Sequence, residues 1–269
     1  MRFGNCISYK DKQIIKTLKT AGFDYIETAL SSFQNAGESE ISDFINTLDE
    51  TGIKCEAVNV LFPGGISLTG ENADHKKAES YITEIFEKTK EIKFKRVVFG
   101  SGGARKVPDG FPKEKAVDQI VEVINNYLLP AAEKYNFTLA IEELNRGETN
   151  IINSLEEAEY IAGQINHPKI KIVADLYHIT LEKTEMTTLK RLTEKNLIAH
   201  CHIANPYNNR YYPQSTDSEE SLNLYKSFFN ALKQNGYNGR ISIEGAMRPE
   251  TDFYTEAKNS LEFMKSLES

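Results

Sequence analysis

The chain alternates short β-rich runs with longer amphipathic runs from end to end, and this alternation constrains its fold more than any other feature. The β-rich runs predict strands at 2–8, 24–30, 54–61, 95–100, 138–145, 170–177, 197–203 and 240–245. The amphipathic runs predict helices at 10–21, 38–51, 73–92, 113–135, 154–165, 185–195, 218–235 and 253–267. Strands that alternate with helices form parallel sheets, and eight such units favour closure into a (β/α)₈ barrel over an open sheet.

We expect one domain, 1–269, because no linker rich in Pro, Gly or Ser interrupts the series of units. The longest loops, at 62–72, 101–112 and 205–217, follow the third, fourth and seventh strands. They therefore lie at the C-terminal ends of the strands, which is where barrel enzymes place their catalytic residues.

The charge and the apolar pattern exclude several classes of partner. The 32 Lys and Arg residues and 39 Asp and Glu residues give a formal charge of −7, without a basic stripe for nucleic acid. No stretch approaches the ~18 apolar residues of a membrane span, and the N-terminus lacks an apolar signal-peptide core. We expect a cytoplasmic protein that acts on a small-molecule substrate and has neither a membrane nor a nucleic-acid partner. The sequence leaves open whether the protein forms a homo-oligomer. Cys6, Cys55 and Cys201 are expected to be buried, reduced thiols.

Acidic side chains follow apolar positions at the ends of three predicted strands. Because side chains alternate across a strand, the apolar Ile241 and Ile243 should face the surrounding helices, which turns Glu244 into the barrel. The same rule turns Glu142 and Asp175 inward on the fifth and sixth strands. Three carboxylates are thus expected at one end of the barrel.

The seventh strand should add imidazoles to this group. If Ala199, Cys201 and Ile203 face the helices, His200 and His202 face inward, with His202 nearer the rim. His200 is expected to hydrogen-bond a ligating group rather than to bind a metal itself. Four adjacent strands would then aim Glu142, Asp175, His202 and Glu244 at one point.

A divalent metal ion explains this convergence best. Three carboxylates at one point repel one another unless a cation lies between them. One imidazole and three oxygen donors favour Mn²⁺ or Mg²⁺, with Co²⁺ compatible and Zn²⁺ left open. The alternative is four unrelated polar groups at the rim, each satisfied locally, which the consistent parity on adjacent strands disfavours.

The sequence resembles the xylose isomerase-like TIM barrels over its whole length, and within them the D-tagatose and D-psicose 3-epimerases. Four motifs support the resemblance: Glu142-Glu143-Leu144-Asn145-Arg146-Gly147-Glu148 is similar to E-x-x-N-R-x-E, Asp175-Leu176-Tyr177-His178 to D-x-x-H, His200-Cys201-His202 to H-x-H, and Glu244 ends the last strand. The resemblance implies a sugar epimerase or isomerase that acts next to the carbonyl of a ketose or keto-sugar through an enediolate. It also implies that Glu142, Asp175, His202 and Glu244 bind the metal, with Glu142 and Glu244 as the two acid/base groups.

Substrate contacts follow less directly from the resemblance. It implies that Glu148, His178 and an arginine after His202 hold the sugar hydroxyls. The family arginine usually lies six residues past the histidine, where this chain has Asn208, so Arg210 is the nearest candidate.

Two other enzyme classes share the fold. A lyase or dehydratase on a keto-sugar or keto-inositol would use the same metal and bases, so the sequence leaves it open. A zinc phosphodiesterase of the endonuclease IV type needs a trinuclear, histidine-rich site, which a chain with 5 histidines disfavours. A barrel that only binds a sugar would not need both Glu142 and Glu244 inside.

Two further side chains remain ambiguous in the sequence. Glu27 ends the second strand and fits a substrate contact or an ion pair at the rim equally well. Arg105 follows the glycine-rich run after the fourth strand, where a tight turn is favoured over contact with an anionic or hydroxyl-rich substrate.

Overall fold

The computed structural model describes residues 1–268 and confirms the barrel that the sequence predicts. Its parallel strands are β1 (Arg2–Cys6), β2 (Tyr25–Ala29), β3 (Lys54–Asn59), β4 (Arg96–Phe99), β5 (Thr138–Glu142), β6 (Ile170–Asp175), β7 (Ile198–Ile203) and β8 (Arg240–Ile243). They pair in chain order, and β8 pairs with β1 to close the barrel. Consecutive strands therefore bring their C-terminal ends to one rim.

Helices surround the barrel at the predicted places. Within residues 1–268 they are α1 (Lys12–Ala21), α2 (Glu38–Thr51), α3 (His75–Thr89), α4 (Gly102–Arg105), α5 (Lys113–Val123), α6 (Leu129–Lys134), α7 (Leu155–Ile165), α8 (Leu176–Leu181), α9 (Met186–Glu194), α10 (Glu219–Lys233) and α11 (Phe253–Glu268). The predicted helix at 113–135 is interrupted by a π-helical turn, Ile124–Leu128. The short helices α4 and α8, which follow β4 and β6, were not predicted.

Apolar side chains fill both sides of the barrel wall. Leu139, Ile141, Ile241 and Ile243 are buried in the main core between strands and helices, as the alternation rule predicts. A small apolar cluster, Val98, Ala140, Val173 and Ala199, fills the interior towards the N-terminal end. The C-terminal half of the interior is left to polar groups.

One predicted orientation is wrong. Ala199 was expected to face the helices, but it lies in the interior cluster with Ala140 and Val173. The reason is a register shift: Ile172 pairs with Ile198, while the next residue of β6, Val173, pairs with His200. The bulge adds one residue to β7, so two consecutive side chains face inward. His200 and His202 still face inward because the alternation resumes after the bulge.

Cys55 and Cys201 are buried free thiols as predicted, whereas Cys6 is only partly buried because it ends β1 at the rim. Among residues 1–268, none of the helices combines the length and the apolar character needed to cross a membrane.

Candidate active site

The structure brings together the four side chains that the sequence singles out. Glu142 ends β5, Asp175 ends β6, His202 lies in β7, and Glu244 follows β8 directly. Each offers a nitrogen or carboxylate oxygen, and these atoms all lie within 4.8 Å of one another. This group, called the ligand cluster below, could hold a metal ion.

One ring nitrogen of His202 faces all three carboxylates. Its Nδ1 lies 2.8 Å from Oε1 of Glu142, 3.4 Å from Oε2 of Glu244 and 3.9 Å from Oδ2 of Asp175. The lone pair of Nδ1 is therefore the one that a metal in the cluster would accept. The ring cannot turn away, because Nε2 hydrogen-bonds Glu27 on its other side.

Burial and neighbouring charges shift the pKa values of three members of the ligand cluster. Burial raises the pKa of Glu244 to about 7, and its carboxylate neighbours act in the same direction. Burial also works to raise the pKa of Asp175, but His178 and cationic neighbours outweigh it and hold that pKa below its ordinary value. Burial works to lower the pKa of His202, yet the surrounding glutamates raise it well above the ordinary value. The cluster thus attracts positive charge, whether a proton or a metal ion.

Arg210 reaches the cluster from the loop after β7. Its guanidinium donates to Oε2 of Glu244, lies 3.3 Å from Oδ2 of Asp175 and lies 3.8 Å from Oε1 of Glu148. It also stacks 4.5 Å from the centre of the Tyr177 ring. Arg210 therefore balances the charge of two cluster carboxylates.

The backbone of the loop after β7 brings Arg210 to the ligand cluster. Arg210 has a left-handed backbone with φ of 55°, and its carbonyl accepts a hydrogen bond of 2.8 Å from the Ala246 amide. A Cβ at Gly245 would lie 2.5 Å from that carbonyl, so the segment after β8 must have glycine there. The two loops are thereby joined beside the cluster.

Glu148 and His178, the other two residues predicted to contact the substrate, both contact Asn145. Its side-chain amide is 2.9 Å from Oε1 of Glu148 and 2.9 Å from Nδ1 of His178, while Nε2 of His178 faces Asp175 at 3.5 Å. His178 is 1% exposed, whereas 44% of the Glu148 side chain is exposed. Glu148 is thus open to a ligand, and His178 lies behind Asp175.

Arg105 is fully buried, which removes the substrate contact considered for it. Its guanidinium donates to the carbonyl oxygens of Phe99 at 2.8 Å and Glu142 at 2.6 Å. It therefore joins the ends of β4 and β5 behind the cluster.

Sequence reasoning missed the residues that orient the cluster. Asn59, which ends β3, donates a 2.8 Å hydrogen bond to Oε1 of Glu244. Glu27 was expected at the rim or on the substrate, but it is fully buried and hydrogen-bonds both His200 and His202. The signal available for both was a polar residue at an inward position of a strand, as for Glu142. His200 lies outside the ligand cluster, and it hydrogen-bonds Glu27 rather than a member of the cluster, so it is one residue further from the cluster than predicted.

Residues 15–267 match the family described as xylose isomerase-like TIM barrel. The chain belongs to this family. The 3-dehydro-D-guloside 4-epimerase of Escherichia coli is 28% identical over 110 residues, which span 41% of this chain and only 39% of that relative. The D-psicose 3-epimerase of Ruminiclostridium cellulolyticum is 24% identical over 248 residues, 88% of this chain and 78% of the relative.

Solved structures share the fold at lower identity. A D-psicose 3-epimerase from Clostridium cellulolyticum H10, solved with D-tagatose, aligns over 100% of both chains with a TM-score of 0.86 and 19% identity. The IOLI protein, solved with a bound zinc atom, aligns over 99% of this chain and 96% of its own with a TM-score of 0.67 and 20% identity.

Proposed function

We propose that the protein is a metal-dependent epimerase that inverts a carbon next to the ketone of a sugar. The observation that supports this most is the ligand cluster itself, in which two glutamates, one ending β5 and one directly after β8, approach one imidazole nitrogen. A protein that only binds sugar has no need for so many buried acids at one point. The named epimerases among the relatives support the same reaction class.

The donor set fits a divalent ion. Glu142, Asp175, His202 and Glu244 would hold it through one nitrogen and three carboxylates, which suits Mn²⁺ or Mg²⁺ and is compatible with Co²⁺ and Zn²⁺. When bound, the ion supplies Lewis-acid stabilisation of the negative charge that develops on the substrate oxygens.

Glu142 and Glu244 are the proposed acid/base pair. One removes the proton from the carbon next to the ketone, which leaves an enediolate, and the other returns a proton to the opposite face. Asn59 donates to one oxygen of Glu244 and leaves the other 3.4 Å from Nδ1 of His202, which restrains the orientation of this carboxylate. Positioned acid/base groups of this kind typically contribute about 10²–10⁴ in rate.

Glu148 and Arg210 are the proposed direct contacts to the sugar hydroxyls. Both lie at the open side of the cluster, and their charges are 3.8 Å apart. His178 was predicted as a further contact; its burial favours an indirect role in which it holds Asp175. Arg210 already pairs with two cluster carboxylates, and Arg105 is buried behind the cluster, which favours a neutral sugar over a phosphorylated one.

The experiment is incubation of the Mn²⁺-loaded protein in D₂O with free ketoses and with 3-keto-glycosides, followed by NMR. We expect inversion at the carbon next to the ketone, with deuterium at that carbon. Loss of water and formation of a new C=C–C=O system would instead identify the lyase that the same residues could form. A protein that changes none of these sugars, with or without added metal, would refute the proposed reaction.

A further inference from the structure

A carboxylate inside the barrel lies directly beneath the ligand cluster. Glu27 in β2 is 0% exposed and accepts three hydrogen bonds. The donors are Nε2 of His202 at 2.9 Å, Nε2 of His200 at 2.7 Å and Oγ of Ser242 at 2.6 Å. Burying a charged carboxylate costs free energy even where hydrogen bonds offset part of the cost. We therefore ask what Glu27 contributes inside the barrel.

His202 provides the answer, because its two ring nitrogens have different surroundings. Nδ1 faces the carboxylates of the cluster, and Nε2 faces Glu27. A metal held by the ligand cluster would take the lone pair of Nδ1, and the remaining ring proton would then lie on Nε2. Glu27 is the acceptor that the structure gives this proton. Such an outer carboxylate fixes the tautomer and the ring plane, and makes the ring a better ligand.

The orientation of Glu27 is itself fixed by its second oxygen. Oε2 accepts from His200 and Ser242, and the Ser242 hydroxyl lies 2.9 Å from the hydroxyl of Tyr25. Nδ1 of His200 is buried and has no partner among the described residues, so the hydrogen bonds of this imidazole are made on its Glu27 side. The carboxylate cannot rotate without breaking several hydrogen bonds at once.

We propose that Glu27 is the positioning residue that presents Nδ1 of His202 to the metal and strengthens it as a ligand. This inference rests on the proposed metal centre and assigns Glu27 no contact with the substrate. If Glu27 were only structural, its replacement would affect folding and leave the affinity of the folded protein for metal unchanged. A positioning role predicts weaker metal binding by the folded protein.

The substitution Glu27→Gln tests the charge at nearly constant shape. The amide oxygen can still accept from His202, and the amide nitrogen can donate to Ser242 or to the other tautomer of His200. We expect the Mn²⁺ affinity to fall by about 10- to 100-fold, the usual effect of losing an outer-shell partner, when measured by titration near pH 8 to limit proton competition. The visible absorption of the Co²⁺-loaded protein should shift, and the Tm in excess EDTA should stay near that of the wild type.

Glu56→Gln is the matched control. Glu56 is a barrel carboxylate of similar burial at 8% exposure, and it pairs with Arg2 and Arg240, each at 2.5 Å, at the N-terminal end of the barrel. This variant should lose thermal stability while its Mn²⁺ affinity and Co²⁺ spectrum stay those of the wild type. If Glu27→Gln does not fold, Ser242→Ala removes one hydrogen bond from Glu27 and should weaken Mn²⁺ binding about fivefold.

Opposite results overturn the proposal. Wild-type Mn²⁺ affinity and Co²⁺ absorption in folded Glu27→Gln, or in Ser242→Ala where that variant replaces it, would show that Glu27 is structural only. A wild-type protein that binds no divalent ion under the same conditions would overturn the metal centre of the proposed function, and this role of Glu27 with it. The two failures are therefore distinguishable.

Discussion

Gly100 lies directly against the carboxylate of Glu142. A Cβ built on Gly100 would be 2.1 Å from Oε2 of Glu142, closer than real Cβ atoms approach, and 3.3 Å from its Cδ. Since the clashing atoms end a flexible side chain, an added methyl group would displace the carboxylate and leave the backbone in place. The absence of a side chain at the end of β4 thus determines where Glu142 points.

Gly100→Ala should therefore impair catalysis with little effect on folding. A displacement of about 1 Å at a catalytic group can lower the rate about 10²-fold, and we expect kcat/KM to fall by at least that amount. Gly103→Ala is the control, because a Cβ there meets nothing within 4 Å. Near-wild-type kcat/KM in Gly100→Ala, at a Tm close to that of the wild type, would show that Glu142 tolerates displacement.

Arg210→Ala should separate substrate binding from metal binding. The guanidinium and a metal ion compete for the same oxygens of Glu244 and Asp175, so its removal should leave Mn²⁺ affinity unchanged or tighter. The value of kcat/KM should fall because the proposed contact to the sugar is lost. Arg146→Ala, which removes an exposed arginine paired with Glu182, should change neither quantity. Weaker Mn²⁺ binding in Arg210→Ala would mean that Arg210 supports the ligand geometry.

Metal affinity should depend on pH in two stages. The metal-free protein keeps a proton on Glu244 below its pKa of about 7, and His202 keeps one to higher pH because its pKa is raised well above the ordinary value. Each proton displaced makes the affinity rise about tenfold per pH unit, so the slope should approach two below neutral pH and one just above it. Calorimetric titration with Mn²⁺ at several pH values measures this, and an affinity independent of pH would contradict it.

The architecture and the ligand cluster could be predicted because both depend on local patterns. Apolar alternation in β5, β6 and β8 determines which side chains face the helices, and the strand order then places Glu142, Asp175 and Glu244 together. The same rule failed at Ala199, where a bulge adds one residue to β7. Nothing in the local pattern of β7 distinguishes an extra residue from an ordinary one.

The residues that hold the cluster were harder to predict because their partners are distant in the chain. Glu27 and His202 are separated by 175 positions, and Asn59 and Glu244 by 185. An inward polar residue at a strand end is visible in the sequence, but its partner depends on barrel closure and on side-chain reach. Arg210 illustrates the same limit, since its place depends on a loop that pairs with the segment after β8.

Glu142 and Glu244 should act as separate bases, one for each epimer of the substrate. Glu142 lies on β5 and Glu244 follows β8, so they approach a sugar bound in the cluster from different strands of the rim. A Gln substitution keeps the shape of each but cannot accept a proton. Where metal analysis shows that the ion is retained, Glu142→Gln should still exchange solvent deuterium into one epimer and Glu244→Gln into the other. Net interconversion should fall by about 10²-fold or more in both. Equal exchange into the same epimer by both variants, measured by NMR in D₂O, would contradict the assignment of one base to each face.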